Sequence, residues 1–227
     1  MKLTRSGLVV ISYLLGSVPF GWIAVKTWAG KDLRKIGSGT TGGTNVSRHV
    51  GPAVALLVGV CDVLKAFLPT RLAVRRYPNN HLLHLLVAAA AMLGNSRSIF
   101  LGFKGGKAVS GAAGALFALA GRERRLWDVF KLAMGVFFGA IIGSGGKVSL
   151  GSISGSTAGG VYALELAHQR KISTLYAFGT VGASAYIIYL HRENAGRIVR
   201  GEEPNTGKEI LERVVKPVVR MLGRGQR

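Results

Sequence analysis

The sequence has few acidic residues and almost no cysteine. Of its 227 residues, 10 are Asp or Glu and one is a cysteine, Cys61, whereas 30 are Lys or Arg. A single cysteine cannot form a disulfide within the chain or supply a cysteine metal site. Cys61 lies in an apolar run, where a thiol usually serves as a packing residue.

The sequence also lacks the signatures of several enzyme classes. No histidine is followed, after four intervening residues, by aspartate, so the His-x4-Asp pattern of the common glycerolipid acyltransferases is absent. There is no HExxH sequence and no cluster of His and Asp, so we expect no metal ion and no cofactor. The stretch "GSISG" has Ile153 where a hydrolase nucleophile elbow requires serine.

Charged residues as a whole are scarce. They make up 18% of the chain, whereas soluble domains have about 25%. The mean hydropathy is +0.33 and there are 33 glycines, a residue that is commoner in transmembrane helices than in soluble ones. These features together indicate a membrane protein.

The apolar runs predict an all-α integral membrane protein with about seven transmembrane helices, and with re-entrant or loop motifs on its cytoplasmic face. A full span needs about 20 residues, and several runs are shorter or contain a charge, so the number of spans lies between five and seven. Pro19 is expected to kink the first span. The predicted spans are 7–28, 52–74, 81–96, 108–121, 127–146, 149–168 and 172–190.

The net charge of +20 indicates an anionic partner. The basic residues are scattered between apolar runs, so we expect membrane lipids or an anionic substrate and no nucleic acid. Lys and Arg are more numerous in the loops after the odd-numbered spans, which the positive-inside rule places in the cytoplasm. The prediction is a multi-pass protein of the cell (plasma or inner) membrane, with its active site facing the cytoplasm.

The chain is expected to divide into a transmembrane domain, 1–194, and a basic cytoplasmic tail, 195–227. Within the tail, 208–222 has apolar residues at helical spacing. This pattern is typical of an amphipathic helix on the membrane surface, and a loosely ordered tail is the alternative.

Three polar motifs fall on the face that we assign to the cytoplasm. The first, "GSGTTGGTNVSR" at 37–48, has the spacing of a dinucleotide-binding loop, but no strand precedes it. Its glycines, hydroxyl groups and Arg48 instead suit a phosphate site. The second, "GFKGGKAVSG" at 102–111, places two lysines before a helix N-terminus, which also favours an anion. The third, "LHRENAGRIVRGEE" at 190–203, places polar residues at the end of the last span.

Two charged residues lie inside a predicted span. Asp62 and Lys65 are one helical turn apart within 52–74. Charged groups at membrane depth are costly and are usually paired or functional. We expect these two side chains to pair with each other.

The three motifs resemble those of the bacterial acyl-phosphate:glycerol-3-phosphate acyltransferases of the PlsY type. Two further stretches, "GSVPFG" before the motifs and "DVLKA" between them, also match this family, and the resemblance extends over residues 15–203. The resemblance implies a membrane acyltransferase that moves a fatty acyl group from acyl phosphate to the sn-1 hydroxyl of glycerol 3-phosphate. The products would be lysophosphatidic acid and phosphate, in the first step of phospholipid synthesis. The resemblance implies catalytic roles for Ser38, Arg48, Lys104, His191 and Asn194. It implies substrate-binding roles for Gly37, Gly39, Gly42, Thr44, Asn45, Gly105, Gly106, Lys107, Arg192 and Glu193.

The chain departs from the family pattern at a few positions. Asn95 stands where the family has histidine, and Thr40, Gly43, Ala66 and Ala108 also differ. The alternative function is therefore a diverged, non-catalytic paralogue, or a small membrane protein that transports anions or binds lipid.

Overall fold

The computed structural model describes residues 4–208, which form helices and connecting loops with no strand. The prediction of an all-α protein is confirmed. Two short 3-10 turns, Leu33–Lys35 and Ile99–Leu101, lie in the loops. The ten α-helices are α1 (Arg5–Ser17), α2 (Phe20–Ala29), α3 (Gly43–Val50), α4 (Pro52–Arg76), α5 (His81–Ser96), α6 (Val109–Ala120), α7 (Leu126–Gly143), α8 (Val148–His168), α9 (Thr174–Leu190) and α10 (Arg192–Val199).

Four helical stretches between residues 4 and 208 are long and apolar enough to cross a membrane. They are Arg5–Ala29, Pro52–Arg76, His81–Leu101 and Leu126–Gly143. Two shorter apolar helices are α6 and α9, and α8 is a 21-residue helix rich in glycine and serine. An integral membrane protein is therefore confirmed, whereas seven complete spans stay a prediction.

The first span is broken rather than continuous. Helix α1 ends before Val18 and α2 begins after Pro19, which has no backbone N–H to continue the helix. The Lys65 ammonium donates to the Val18 carbonyl at 3.1 Å. Asp62 in turn pairs with Lys65 at 2.7 Å, and both side chains are buried. The expected ion pair is present, and its lysine satisfies a carbonyl that the helix break has freed.

Small residues bring the helices into close contact. A Cβ atom on Gly94 of α5 would overlap the carbonyl oxygen of Tyr13 on α1, and one on Gly114 of α6 would overlap the carbonyl of Val63 on α4. Along α8, a Cβ on Gly155 would lie 2.6 Å from the carbonyl of Ala133 on α7. Membrane helices have no hydrophobic driving force between them, so this close backbone approach supplies the dispersion energy that holds the bundle together.

The bundle has two polar ends. At one end, α3, the N-termini of α6 and α8, and α10 come together. At the other end, the buried His84 side chain bonds the Tyr176 hydroxyl at 2.7 Å and the Tyr77 carbonyl at 2.9 Å. The three motifs of the sequence thus lie at one end of the molecule.

The residues after α10 turn back over the first end. Gly201 has a φ of 73° and allows the turn, and the chain then passes over the polar cavity as far as Thr206. The amphipathic helix predicted for 208–222 lies outside the described residues, apart from its first position. The domain boundary at 194 stays a prediction.

Candidate functional site

A polar cavity of about 440 Å³ lies at the end of the bundle where the three motifs meet. Its walls come from the loop before α3, the N-termini of α6 and α8, the end of α9, and the segment 194–206. The polar side chains that line it include Ser38, Arg48, Lys107, His191, Asn194 and Glu203.

The first motif forms one wall of the polar cavity. Gly37 adopts a φ of 57°, a conformation that favours glycine, and Gly42 precedes the first turn of α3. The Ser38 hydroxyl lies 2.8 Å from that of Thr40. The Asn45 N–H already bonds the Gly42 carbonyl, so the donors that the start of α3 presents beside these hydroxyls are the N–H groups of Gly43 and Thr44.

Asn45 stabilises the loop that forms this wall. Its side chain is buried and its amide group donates to the carbonyls of Ile36 and Thr40 at 3.1 and 3.0 Å. Its carbonyl oxygen accepts from the Ser38 N–H at 3.4 Å. These bonds fix the loop but leave Asn45 outside the cavity lining.

Arg48 projects from α3 into the polar cavity. Its guanidinium donates to the hydroxyl of Thr206, with Nε at 3.0 Å, and Thr206 itself is buried. The salt bridges among residues 4–208 include none from Arg48. A phosphate would supply the anionic partner that a guanidinium binds best.

One of the two lysines in the second motif lines the polar cavity. Lys107 lines the cavity and donates to the side-chain oxygen of Asn194, whereas Lys104 is exposed and lies outside the lining. The two glycines between them allow close packing: a Cβ on Gly105 would overlap the carbonyl of Asn95. The Gly106 N–H donates to that same carbonyl at 2.9 Å. Gly105 and Gly106 thus position Lys107 without lining the cavity.

The third motif supplies a histidine and a hydrogen-bonded carboxylate. His191 is buried at the end of α9, and its Nδ1 atom lies 2.8 Å from the Ile187 carbonyl. Since a carbonyl only accepts, Nδ1 carries the proton and Nε2 is left as an acceptor. Asn194 donates to Glu203 at 2.7 Å, and Arg197 donates to the other oxygen of Glu203 at 2.8 Å.

The protonation states follow from burial. Burial lowers the pKa of Lys107 to about 8 and that of His191 to about 4. Burial raises the pKa of Glu203, but hydrogen bonds from Ser149, Asn194 and Arg197 outweigh it, and the net result is a lowered pKa. At neutral pH the cavity therefore contains a neutral imidazole, a charged lysine near its titration point, and an ionised carboxylate.

The structure places about half of the predicted site residues around the polar cavity. Eight of them line it: Gly37, Ser38, Gly42, Thr44, Arg48, Lys107, His191 and Asn194. Seven do not: Gly39, Asn45, Lys104, Gly105, Gly106, Arg192 and Glu193. Arg192 is exposed and its guanidinium lies over the ring of Tyr189, 4.6 Å from the centroid.

Several lining residues were missed by the sequence reasoning. Arg197 and Glu203 lie within the third motif, 190–203, so the motif itself carried the signal. Ser149 and Thr206 belong to no motif, and only the fold brings them to Glu203 and Arg48. Asn95, a departure from the family pattern, also lines the polar cavity.

A second cavity, apolar and about 390 Å³ in volume, lies between α5, α6, α7, α8 and α9. Val109, Phe137 and Ser152 line both cavities, so the two adjoin each other. The two adjoining cavities together present a polar end with basic side chains and an apolar end inside the helix bundle. This shape is suited to a molecule with an anionic head and a long apolar chain.

The comparison with protein families decides the assignment. Residues 6–201 match the family model described as "Glycerol-3-phosphate acyltransferase". The chain belongs to the glycerol-3-phosphate acyltransferase family. The resemblance inferred from the motifs is confirmed.

Individual members of the glycerol-3-phosphate acyltransferase family agree with this assignment. The glycerol-3-phosphate acyltransferase of Rippkaea orientalis is 38% identical over 215 residues, which cover 90% of this chain and 94% of that protein. The corresponding protein of Prochlorococcus marinus is 35% identical over 212 residues, which cover 92% of this chain and 99% of that protein.

Solved structures of the glycerol-3-phosphate acyltransferase family share the fold. The crystal structure of PlsY, an integral membrane glycerol 3-phosphate acyltransferase, in its glycerol 3-phosphate form has a TM-score of 0.78 at 33% identity, covering 88% of this chain and 94% of that one. Its lysophosphatidic acid form has a TM-score of 0.73 at 31% identity.

Proposed function

We propose that the protein transfers a fatty acyl group from acyl phosphate to the sn-1 hydroxyl of glycerol 3-phosphate. The products are lysophosphatidic acid and inorganic phosphate. The observation that carries the proposal is that a basic polar cavity adjoins an apolar cavity at Val109, Phe137 and Ser152. Family membership supports the acyltransferase activity, and the choice of acyl phosphate as donor rests on the motifs.

The polar cavity binds the phosphate groups of the two substrates. Arg48 and Lys107 supply positive charge, and the first turn of α3 with Ser38 supplies neutral donors. The Arg48 guanidinium exchanges its bond to Thr206 for a charge-assisted bond to phosphate. Because Glu203 is already bonded by Asn194 and Arg197, its negative charge is compensated and does not repel the substrates.

The apolar cavity binds the fatty acyl chain. This position places the carboxyl end of the chain at the junction of the two cavities, beside the start of α6. Lys107 and the N–H groups at the start of α6 then stabilise the oxyanion that forms as the carbonyl is attacked.

The reaction replaces one carbon–oxygen bond with another. The sn-1 hydroxyl oxygen of glycerol 3-phosphate bonds to the acyl carbonyl carbon, and the bond between that carbon and the phosphate oxygen breaks. The hydroxyl proton goes to the departing phosphate. Nε2 of His191, a neutral acceptor, orients the attacking hydroxyl. Acyl phosphate is already activated, so positioning supplies most of the catalysis.

The test is an assay of the purified protein in detergent or nanodiscs with palmitoyl phosphate and glycerol 3-phosphate. We expect release of phosphate and formation of lysophosphatidic acid that depend on both substrates. Arg48→Ala should lower kcat/KM by about 10- to 100-fold, since one charge-assisted contact with phosphate is lost. Arg124→Ala, an exposed arginine at the other end of the bundle, should leave kcat/KM unchanged.

The outcome that overturns the acyltransferase assignment is a folded protein with no turnover of either substrate. If such a protein still bound phosphate or lysophosphatidic acid, the non-catalytic alternative would replace the enzyme. Equal activity of Arg48→Ala and the unmodified protein would remove Arg48 from the site.

A further inference from the structure

Asn95, near the end of α5, is a buried polar residue whose side chain has no hydrogen-bond partner among residues 4–208. It is 7% exposed and lines the polar cavity. Its backbone carbonyl accepts from the Gly106 N–H, but its side-chain amide bonds no group in the described part of the chain. Buried amides are normally paired, because an unpaired one loses its bonds to water. The amide of Asn95 is therefore available to a ligand that enters the cavity.

The start of α6 lies beside this amide. Nδ2 of Asn95 would be 3.8 Å from a Cβ atom on Gly111, in the first turn of α6. The ladder of α6 begins with the bond from the Ala112 N–H to the Ala108 carbonyl at 2.8 Å, so the N–H groups of residues 109–111 have no partner within the helix. Val109 lines the polar cavity. The side-chain donor and these backbone donors thus face the same space.

Asn95 also lies where the two cavities adjoin. Met92, three residues earlier and on the same side of α5, lines the apolar cavity, whereas Asn95 lines the polar one. A Cβ atom on Gly111 would be 3.8 Å from Cγ of Met92 and 3.8 Å from Nδ2 of Asn95. A molecule that extends from the apolar cavity into the polar one therefore passes the Asn95 amide.

The position of Asn95 corresponds to one group of an acyl phosphate. Such a donor has its carbonyl group between the apolar chain and the phosphate. With the chain in the apolar cavity and the phosphate at Arg48 and Lys107, the carbonyl lies at the junction. A carboxamide is neutral and donates through its N–H groups. It suits an oxygen that is uncharged in the substrate and becomes negative as the carbonyl carbon is attacked.

We propose that the side-chain amide of Asn95 donates a hydrogen bond to the carbonyl oxygen of the acyl donor, and that it forms the oxyanion site together with the N–H groups at the start of α6. This inference rests on the proposed function for the identity of the ligand. It makes Asn95 a catalytic residue. Arg48 and Lys107 bind the phosphate, so the contribution of Asn95 is confined to the carbonyl group.

Removal of the amide tests its role in the reaction. Asn95→Ala should lower kcat for palmitoyl phosphate about 100-fold and change KM by less than about threefold, because a donor that acts on the transition state is lost. Asn95→Asp keeps the shape of the side chain and removes the amide donors, so it serves as a second variant if Asn95→Ala is unstable. The matched control is Asn79→Asp, at an exposed position at the other end of the bundle, which should leave kcat and KM unchanged. An unchanged kcat in a folded Asn95→Ala or Asn95→Asp protein would refute the proposal.

A binding measurement without turnover identifies the atom that Asn95 contacts. Two stable analogues of palmitoyl phosphate serve as probes. The β-ketophosphonate keeps the carbonyl and has a methylene group in place of the bridging oxygen, and the matching alkylphosphonate lacks the carbonyl. We expect Asn95→Ala to raise the Kd of the β-ketophosphonate about fivefold and to leave that of the alkylphosphonate within about twofold, since one hydrogen bond is lost in the first case only. Equal weakening of both analogues, or of neither, would refute the contact with the carbonyl.

The two measurements separate this inference from the proposed function. If the unmodified protein has no turnover but Asn95→Ala selectively weakens binding of the β-ketophosphonate, the acyltransferase assignment fails and the contact with the carbonyl stands. If turnover is present but the loss of binding is not selective, the proposed function stands and Asn95 is not the donor.

Discussion

Lys107 is a residue of the polar cavity whose charge changes close to physiological pH. Burial lowers its pKa to about 8, and the residue is charged below that value and neutral above it. Its ammonium group is held between Asn194 and the space where we place phosphate. The binding of anionic substrates should therefore weaken as the pH rises through this pKa.

We predict an alkaline limb in the pH profile of kcat/KM, with a midpoint near pH 8 and a fall of about tenfold per pH unit above it. Lys107→Arg should shift that limb upward by more than one unit, because a guanidinium stays charged at these pH values. The measurement is steady-state kinetics between pH 6 and pH 10. An alkaline limb that does not move in Lys107→Arg would assign it to another group.

At the scale of single residues the sequence predicted the type of site but not the orientation of every side chain. Residue type and spacing marked Ser38, Arg48 and His191, and all three line the cavity. The same reasoning could not separate Lys107 from Lys104, because the direction of each side chain depends on how the glycines between them pack against Asn95. Motif membership therefore identifies a segment, and tertiary packing decides which of its side chains face the substrate.

At the scale of helices, the interfaces depend on glycines that no larger residue can replace. Gly94 on α5 lies against the Tyr13 carbonyl on α1, whereas a Cβ on Gly59 of α4 would have no atom within 4 Å. Both residues lie within α-helices, so replacing either by alanine carries the same gain in helix propensity.

We predict opposite effects for these two glycines. Gly59→Ala should raise the free energy of unfolding by up to about 1 kcal/mol, through helix propensity. Gly94→Ala should lower it by about 1–3 kcal/mol or more, since the methyl group must displace backbone. Thermal unfolding in detergent measures both. A Gly94→Ala protein as stable as Gly59→Ala would mean that α1 and α5 are not in close contact.

The ion pair between Asp62 and Lys65 in α4 leads to a second prediction at the scale of helices. Asp62→Ala leaves the buried Lys65 ammonium without an anionic partner, with the Val18 carbonyl and the Phe20 ring still beside it, and should cost about 3–5 kcal/mol. Adding Lys65→Met removes the uncompensated charge and should recover most of that loss. Thermal unfolding of the single and double variants measures the difference, and a double variant no more stable than Asp62→Ala would show that the charge is not the cause.

The helices themselves were largely predictable, and their breaks were less so. Apolar runs gave the positions of α4 to α9 within a few residues, because burial in lipid demands long apolar helices. Pro19 indicated a kink but not a complete break in the helix. The hydrogen bond that Lys65 donates to the Val18 carbonyl at the break joins residues 47 positions apart. Such long-range hydrogen bonds leave no local pattern in the sequence.

At the scale of the whole molecule, the two polar ends should lie on opposite sides of the membrane. In a Cys61→Ala background, Lys35→Cys marks the end that contains the polar cavity and Asn79→Cys marks the other end; both positions are exposed. We expect a membrane-impermeant maleimide to label Asn79→Cys in intact cells and Lys35→Cys only after lysis. The reverse pattern would place the polar cavity outside the cytoplasm.

The bond between Arg48 and Thr206 joins positions 158 residues apart, and it has a consequence for how the protein is made. A chain emerging from the ribosome presents the loop before α3 early but completes the cavity wall only once Thr206 has been made. The nascent protein cannot hold both substrates until every helix has been inserted. Activity should therefore appear only in chains that extend past Thr206, and we expect a translation product truncated before that residue to insert into the membrane without acyltransferase activity.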